Sequence, residues 1–365
     1  MESSGLRRKR HEGVPGALDQ IVADHEAAAS DFRELADYRR ELLPDLQCRK
    51  LVFVCCDERY DVNEVLGYAP GIYTIVKTAG PMRNMEAFAW EVNRELEIAQ
   101  SLAQSLWVLD LSVHDDCGGV DYDISLARTL QDQHERTMQQ FLPKVFYTRG
   151  ELVGDTADLM VIGQGEIGSE SRVTFCCTDG ADAVPEQHVD SEAMALMYVS
   201  QALTRTEAFD RMLCYPLAQV LWENLNHKMR CDRMVLPEHS ARVGAVGAGL
   251  NWRCDSMFSV TARLDNEHIF EDVEHSILIG IGLMNEVVEQ HKPIVWVCCQ
   301  TYDEQRYEKE PKCQAKKEAF ELMDRVRALS GLDRWIEDGR VVLVPGMLEK
   351  NSSTLTLVGE CAIMD

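Results

Sequence analysis

The sequence predicts an α/β protein made of two related domains with mainly parallel sheets, preceded by an N-terminal helix. Two observations lead to this class. Short apolar, β-branched segments alternate with longer amphipathic ones, which is the pattern of strands joined by helical crossovers in a parallel sheet. The order of these segments in the first half of the chain also recurs in the second half, with a drift of a few residues, which indicates an internal duplication.

The first half begins with a helix and continues with strands and helices in alternation. Helix formers extend over residues 17–45, and Pro44 ends the pattern. The strands expected after it are 50–56, 71–80, 105–113, 157–164 and 171–177, and the helices expected between them are 85–104 and about 123–142.

The second half repeats this order in four segments. Residues 257–266 resemble IYTIVKTAGP, 271–290 take the place of the 85–104 helix, 293–304 take the place of SLWVLDLSVHDD, and 339–358 parallel ADLMVIGQGEIGSESRVTF. A mainly helical connection separates the two halves. No single pair is compelling, but the shared order predicts two copies of one unit.

The composition limits the class of partner. A net charge of −24 over 365 residues argues against binding to nucleic acid or to an anionic membrane, because both need a basic face. No run approaches the roughly 18 apolar residues of a membrane span, and the first residues contain no apolar segment typical of a secretory signal. Thirteen scattered cysteines then predict reduced thiols and a cytoplasmic protein. The basic cluster 7–10 is a solvated tail or a docking peptide for an acidic partner.

Three residues form a candidate metal site. His114-x-x-Cys117 follows one predicted strand and is itself followed by Gly-Gly, which would let the backbone approach a metal closely at Gly118 and Gly119. Cys55 stands at the end of another predicted strand. Because functional groups gather at the carboxyl ends of parallel strands, the three can converge. Two thiolates and one imidazole suit zinc, and three protein ligands leave a fourth position open, as in catalytic zinc sites.

Asp57 and Arg59 follow Cys55 in a C-x-D-x-R pattern. A bidentate pair between them would keep the carboxylate ionised and fix its direction. Such a carboxylate could accept a hydrogen bond from zinc-bound hydroxide, or it could occupy the fourth zinc position itself. Both options stay open.

These residues carry a resemblance to a known family. Cys55-x-Asp57-x-Arg59 followed by His114-x-x-Cys117-Gly-Gly resembles the zinc site of β-class carbonic anhydrases, and IYTIVKTAGP is similar to one of their strands. The resemblance implies Cys55, His114 and Cys117 as the ligands of Zn2+. It implies Asp57 and Arg59 as the catalytic dyad that controls the fourth position.

The duplicated arrangement resembles one branch of that class, the carboxysomal shell-associated carbonic anhydrases, whose second half is a copy without metal. Here Asp303 and Arg306 stand near the places expected for the histidine and second cysteine, and 241–251 offers no cysteine or acid where C-x-D-x-R should recur. One Zn2+ per chain follows. The branch has a longer N-terminal region than the 48 or so residues present here, and its histidine ligand stands farther from the cysteine. Both differences weigh against residence in a carboxysome.

The resemblance implies reversible hydration of carbon dioxide to bicarbonate, by attack of zinc-bound hydroxide on CO2. Three alternatives stay open: hydrolysis of a CO2 analogue such as carbonyl sulfide or carbon disulfide, a non-catalytic scaffold stapled by zinc, and thiol redox chemistry at the Cys-Cys pairs. A scaffold is disfavoured because a structural zinc site has no use for a dyad such as Asp57 and Arg59. Redox chemistry is disfavoured because Cys-Cys lacks the C-x-x-C spacing of redox motifs.

The expected organisation has four parts. These are an N-terminal tail and helical arm (1–48), a catalytic zinc-binding domain (49–190), a helical connection (191–236) and a degenerate second copy (237–365). The expected partners are a small-molecule substrate, CO2 or bicarbonate, and further copies of the chain in a homo-oligomer. A carboxysome-type partner that binds the basic N-terminal tail is an additional option.

Overall fold

The chain is an α/β protein with two sheets. The computed structural model describes residues 14–37, 48–57, 66, 73–114, 117–142, 144–153, 156–162, 172–175, 191–204, 214–230, 243–247, 257–284, 293–304 and 310–358. Within these ranges both sheets are mainly parallel, so the α/β part of the prediction is confirmed. None of the helices in the described ranges is long and apolar enough to cross a membrane.

Six strands form the first sheet: β1 Cys48–Cys55, β2 Thr74–Thr78, β3 Ser105–His114, β4 Val145–Val153, β5 Thr156–Ile162 and β6 Arg172–Phe175. Their order in the sheet is β2-β1-β3-β4-β5-β6. The first four are parallel, and β5 and β6 are added antiparallel at one edge. β1 and β3 are buried along nearly their whole length, as expected for central strands covered on both faces.

Five strands form the second sheet: β7 Val243–Gly247, β8 Met257–Val260, β9 Ile294–Tyr302, β10 Val341–Glu349 and β11 Leu355–Leu357. Their order is β11-β10-β9-β7-β8, and only β11 is antiparallel to its neighbour. In each sheet, the second strand along the chain lies at an edge and is followed by the first, the third and the fourth. The four parallel strands of the two sheets therefore share one order.

Eight α-helices connect and cover the sheets within the described residues: α1 Val14–Glu34, α2 Met85–Ser101, α3 Ile124–Met138, α4 Glu192–Thr204, α5 Cys214–Arg230, α6 Phe270–Leu283, α7 Pro311–Arg327 and α8 Asp333–Glu337. α2 and α3 start at N-caps, since the side chains of Asn84 and Asp123 each accept hydrogen bonds from two N–H groups of the first turn. α4 and α5 lie in the predicted helical connection.

The hydrophobic pattern does not predict two of the strands, β7 and β4. The sequence of β4, VFYTRGELV, carries Arg149 and Glu151 toward the carboxyl end, which interrupts the apolar run. Both charges are paired with α3, Arg149 with Asp132 at 2.5 Å and Glu151 with Arg128 at 2.6 Å. Because β4 lies beside β3 as β10 lies beside β9, β10 corresponds in position to β4. The expected pairing of 339–358 with ADLMVIGQGEIGSESRVTF is therefore wrong by one strand.

The two sheets meet at the edges formed by β2 and β8. The backbone N–H of Thr261 donates to the carbonyl of Lys77 at 2.9 Å, and the N–H of Lys77 donates to Thr261 Oγ1 at 2.9 Å. One buried apolar cluster extends from the first half into the second and includes Phe88 and Trp296. The halves therefore share a core.

On the face away from the shared core, each sheet is covered by a helix that lies, along the chain, just before the other sheet. α1 precedes the first sheet, but its Ile21 belongs to the same buried cluster as Val243 and Val297 of the second sheet. α5 precedes the second sheet, but its Leu217 belongs to a cluster with Trp107 of the first sheet. We call α1 and α5 the helical arms of the two halves; each arm packs on the sheet of the other half, so the halves exchange their arms. Loss of either arm would expose an apolar sheet face.

We expect Ile21→Ala to lower the free energy of unfolding by about 2–5 kcal/mol, because truncation of a buried side chain loses transfer free energy and leaves a cavity. Val22 is its neighbour on α1 and is 40% exposed, against 1% for Ile21. Val22→Ala should change the free energy of unfolding by less than about 0.5 kcal/mol. Urea denaturation followed by circular dichroism measures both. Equal effects would contradict the packing of α1 on the second sheet.

Candidate metal centre

The three side chains that the sequence identifies as metal ligands lie together. Cys55 is the last residue of β1, and His114 is the last residue of the neighbouring strand β3. Cys117 directly precedes the short 3₁₀ turn Gly118–Val120. The parallel arrangement brings all three to the edge of the first sheet at which the strands have their carboxyl ends. Functional groups of open parallel sheets gather at that edge.

The distances between their donor atoms suit a metal ion. The ligand atoms of the three residues all lie within 4.8 Å of one another, and the two Sγ atoms are 3.9 Å apart. Two thiolates on a tetrahedral zinc, each about 2.3 Å from the metal, are roughly 3.8 Å apart. The exposed fractions are 8% for Cys55, 1% for His114 and 2% for Cys117. This buried group could hold a metal ion, and its two sulfurs and one nitrogen suit zinc.

The two thiols differ in acidity. Burial raises the pKa of Cys55, but hydrogen bonds from Cys117 and Cys56 and the charge of His114 outweigh it, so its pKa lies well below the usual value. The hydrogen bond with Cys55, together with burial, raises the pKa of Cys117. The lowered pKa of Cys55 and the raised pKa of Cys117 both follow from the hydrogen bond between the two sulfurs. A metal ion binds cysteine as the thiolate, so metal binding at this group releases protons.

Two glycines let the ligand-bearing segments approach each other. Gly80 donates its N–H to Cys55 Sγ at 3.2 Å and has a φ of +70°, in the left-handed region that favours glycine. A Cβ on Gly119 would lie 2.4 Å from the carbonyl carbon of Ala79, whereas a Cβ on Gly118 would meet nothing closer than 3.7 Å. The close approach expected at the Gly-Gly pair therefore occurs at Gly119, toward the backbone of Ala79.

The predicted dyad is only partly within the described residues. Asp57 lies two residues beyond the end of β1 and is 6% exposed. Arg59 lies outside the described residues, as does Arg306 of the second half. The pairing of Asp57 with Arg59 stays a prediction.

A buried ion pair behind the ligands was missed from the sequence. His134 Nδ1 lies 2.7 Å from Asp110 Oδ2, and His134 Nε2 lies 2.8 Å from the carbonyl oxygen of Met82. Burial opposes the charge on Asp110, but the charge and hydrogen bond of His134, with hydrogen bonds from Ser112, lower the pKa of this carboxyl. Tyr147 also donates to it, at 3.1 Å. Both ring nitrogens of His134 thus face oxygen atoms, one of a buried carboxylate and one of a backbone carbonyl.

This pair lies next to the end of the strand that carries a ligand. The register between β3 and β4 shifts between Asp110 and Val113, immediately before His114. The pair also joins β3 to α3 and to the loop after β2 that contains Met82. One signal was available in the sequence, because Asp110 interrupts the apolar run SLWVLDLSV, and a charge in a buried strand needs a partner.

The second sheet has no ligand where Cys55 stands in the first. β7 ends at Gly247 as β1 ends at Cys55. A Cβ on Gly247 would lie 2.0 Å from the carbonyl oxygen of Cys299, so no side chain fits there. Asp303 accepts a hydrogen bond from the side chain of Asn351 at 3.0 Å. Within the described part of the chain, the group in the first sheet is the only cluster of three or more potential metal ligands.

Comparison with known proteins does not place the chain in a family. No protein-family model matches it, and no curated protein matches it either.

Proposed function

We propose that this protein catalyses the reversible hydration of carbon dioxide to bicarbonate at a zinc ion held by Cys55, His114 and Cys117. The observation that carries the proposal is the buried donor set, with two sulfurs 3.9 Å apart and all ligand atoms within 4.8 Å. When bound there, zinc supplies a Lewis acid that lowers the pKa of a water molecule to about 7. The described residues add no fourth donor to the group. Three protein ligands are typical of catalytic zinc sites.

The residues of the chain orient the ligands and exclude water. Gly80 holds the sulfur of Cys55 by its N–H, at 3.2 Å. Val120, which is fully buried, lies beside Cys117: its Cγ1 and the Sγ of Cys117 are each 3.3 Å from the position of a Cβ on Gly80. An apolar wall of this kind suits an uncharged substrate such as CO2. Asp57 is the residue that we propose as acceptor of a hydrogen bond from the attacking water.

The second half of the chain takes the place of a second subunit in this proposal. We attribute the two sheets to an internal duplication after which the second copy lost its ligands. The common order of the four parallel strands, the exchange of helical arms and the absence of space for a side chain at Gly247 support this origin.

A stopped-flow measurement of CO2 hydration tests the reaction. Protein purified with zinc and reductant should hydrate CO2 far above the buffer background, and a chelator should remove this activity until zinc is added back. A background rate from protein that still holds its zinc would contradict the proposal. Carbonyl sulfide and carbon disulfide offered to the same preparation would then separate hydrolysis of a CO2 analogue from a scaffold role.

A further inference from the structure

Helix α6 of the second half contacts two turns beside the cysteines of the candidate metal centre: the turn after β2, whose Gly80 is hydrogen-bonded to Cys55, and the turn after Cys117. Ser276 Oγ lies 2.8 Å from the backbone nitrogen of Ala79, and His275 Nε2 lies 2.8 Å from the carbonyl oxygen of Gly119. Ala79 precedes the glycine that is bonded to Cys55, and Gly119 lies two residues after Cys117. Ser276 is thus linked to Cys55 through the Ala79-Gly80 backbone, and His275 is linked to Cys117 through the turn that contains Gly119.

Ser276 fixes the peptide that delivers a hydrogen bond to Cys55. Its hydroxyl accepts the N–H of Ala79 and donates to the carbonyl of Asp272 at 2.6 Å, so the oxygen has a defined direction. The next N–H along the chain, that of Gly80, points at Cys55 Sγ at 3.2 Å. Ser276 is fully buried, so no water can replace its oxygen without a rearrangement.

His275 fixes the turn that follows Cys117. A carbonyl oxygen can only accept, so His275 Nε2 carries a hydrogen and donates it to Gly119. The guanidinium of Arg83 donates to the same oxygen at 2.7 Å. The carbonyl of Gly119 is therefore held from both sides, and the Cα of this residue packs against Ala79 where no Cβ fits.

We infer that Ser276 and His275 are positioning residues for the metal centre, so that the half without ligands sets the geometry of the ligands in the other half. The inference rests on the proposed metal site but not on the reaction proposed for it. Hydrogen bonds behind a ligand fix its orientation, and their loss lowers metal affinity by roughly 10–100-fold.

The experiment compares Co2+ affinity among variants of the full chain. Ser276→Ala and His275→Leu should each bind Co2+ about 10-fold more weakly than the unmodified protein, in competition with a chelator of known affinity. This is the lower end of the roughly 10–100-fold loss typical of direct partners of a ligand, because each side chain acts through one intervening segment. The thiolate-to-cobalt absorption band should shift in both, because the sulfur geometry changes. His275→Gln retains a side-chain N–H donor and should restore affinity and band to near the unmodified values.

Ser259→Ala is the matched control. Ser259 is also a buried serine of the second half and accepts a hydrogen bond from Lys77 Nζ of the first half at 3.1 Å, but this bond goes to a side chain and not to the backbone of Ala79 or Gly119. This variant should bind Co2+ as the unmodified protein does. Asp272 accepts hydrogen bonds from the N–H groups of Arg83 and Asn84, which keeps α6 in place in the Ser276→Ala variant.

The outcomes separate the two proposals. Unchanged Co2+ affinity and absorption in Ser276→Ala and His275→Leu would overturn the positioning role, and so would an equal loss in Ser259→Ala. Failure of the unmodified protein to take up Co2+ would overturn the metal site and this inference together. Co2+ binding that depends on Ser276 and His275, without CO2 hydration by the zinc form, would overturn the reaction and uphold the inference.

Discussion

Cys117→Ser is expected to bind zinc roughly a hundredfold to a thousandfold more weakly and to lose CO2 hydration with it. Zinc binding by structural four-ligand sites amounts to about 10–16 kcal/mol, so one thiolate contributes roughly 3–4 kcal/mol, a factor of roughly 10²–10³ in affinity. Serine has nearly the same shape as cysteine, but a hydroxyl does not replace the thiolate that zinc prefers. Chelator competition measures the affinity, and stopped flow measures the activity.

Cys56→Ser provides the control for this substitution. Cys56 is adjacent to Cys55 and is also buried, but it is not a member of the candidate ligand group. Burial raises the pKa of Cys56 well above its usual value, so it stays a thiol. Serine retains a hydrogen-bond donor at this position, and the variant should keep its zinc. Full activity in Cys117→Ser would refute the ligand assignment, and equal zinc loss in both variants would leave Cys117 without a distinct role.

His134→Leu is expected to destabilise the fold by about 3–5 kcal/mol, because it removes the side chain that lowers the pKa of Asp110 and leaves a buried carboxylate uncompensated. The two side chains are fully buried and 2.7 Å apart. The His134 ring also stacks on Phe88 with a centroid distance of 4.1 Å, and leucine would keep only part of that contact. The free energy of unfolding from urea titration at pH 7 measures the loss.

Tyr147→Phe separates loss of the charge partner from loss of one hydrogen bond to the same carboxylate. It should cost about 1.5–3 kcal/mol, which is typical of a hydrogen bond to a charged group.

The folded-state pKa of Asp110 lies below its unfolded value, so the stabilisation from this carboxylate is present above about pH 4 and is lost as the pH falls through the folded pKa. The destabilisation by His134→Leu should shrink over that acid range. A pH-independent difference would show that the ion pair is not its cause.

The three residues of the candidate metal centre could be predicted because their signals are local or follow from strand order. His114 and Cys117 are three residues apart, and Cys55 could be added because parallel strands end at one edge of a sheet. The partner of Asp110 could not be predicted, since the choice of His134 depends on how α3 packs on the sheet. β4 could not be predicted because Arg149 and Glu151 interrupt its apolar pattern. These charges are compatible with a strand here because α3 supplies their counter-ions.

The sequence by itself determined the α/β class, most of the strands and helices, and the residue types at the candidate metal centre, because periodicity and strand-end residues are properties of neighbours along the chain. Only the tertiary structure decided the 3.9 Å between the sulfurs, the exchange of helical arms and the contact of Ser276 with Ala79, two residues 197 positions apart. Periodicity states that a face is buried but not what covers it. That choice is made by shape and hydrogen bonding between distant segments, and here it places the second half against the ligands of the first.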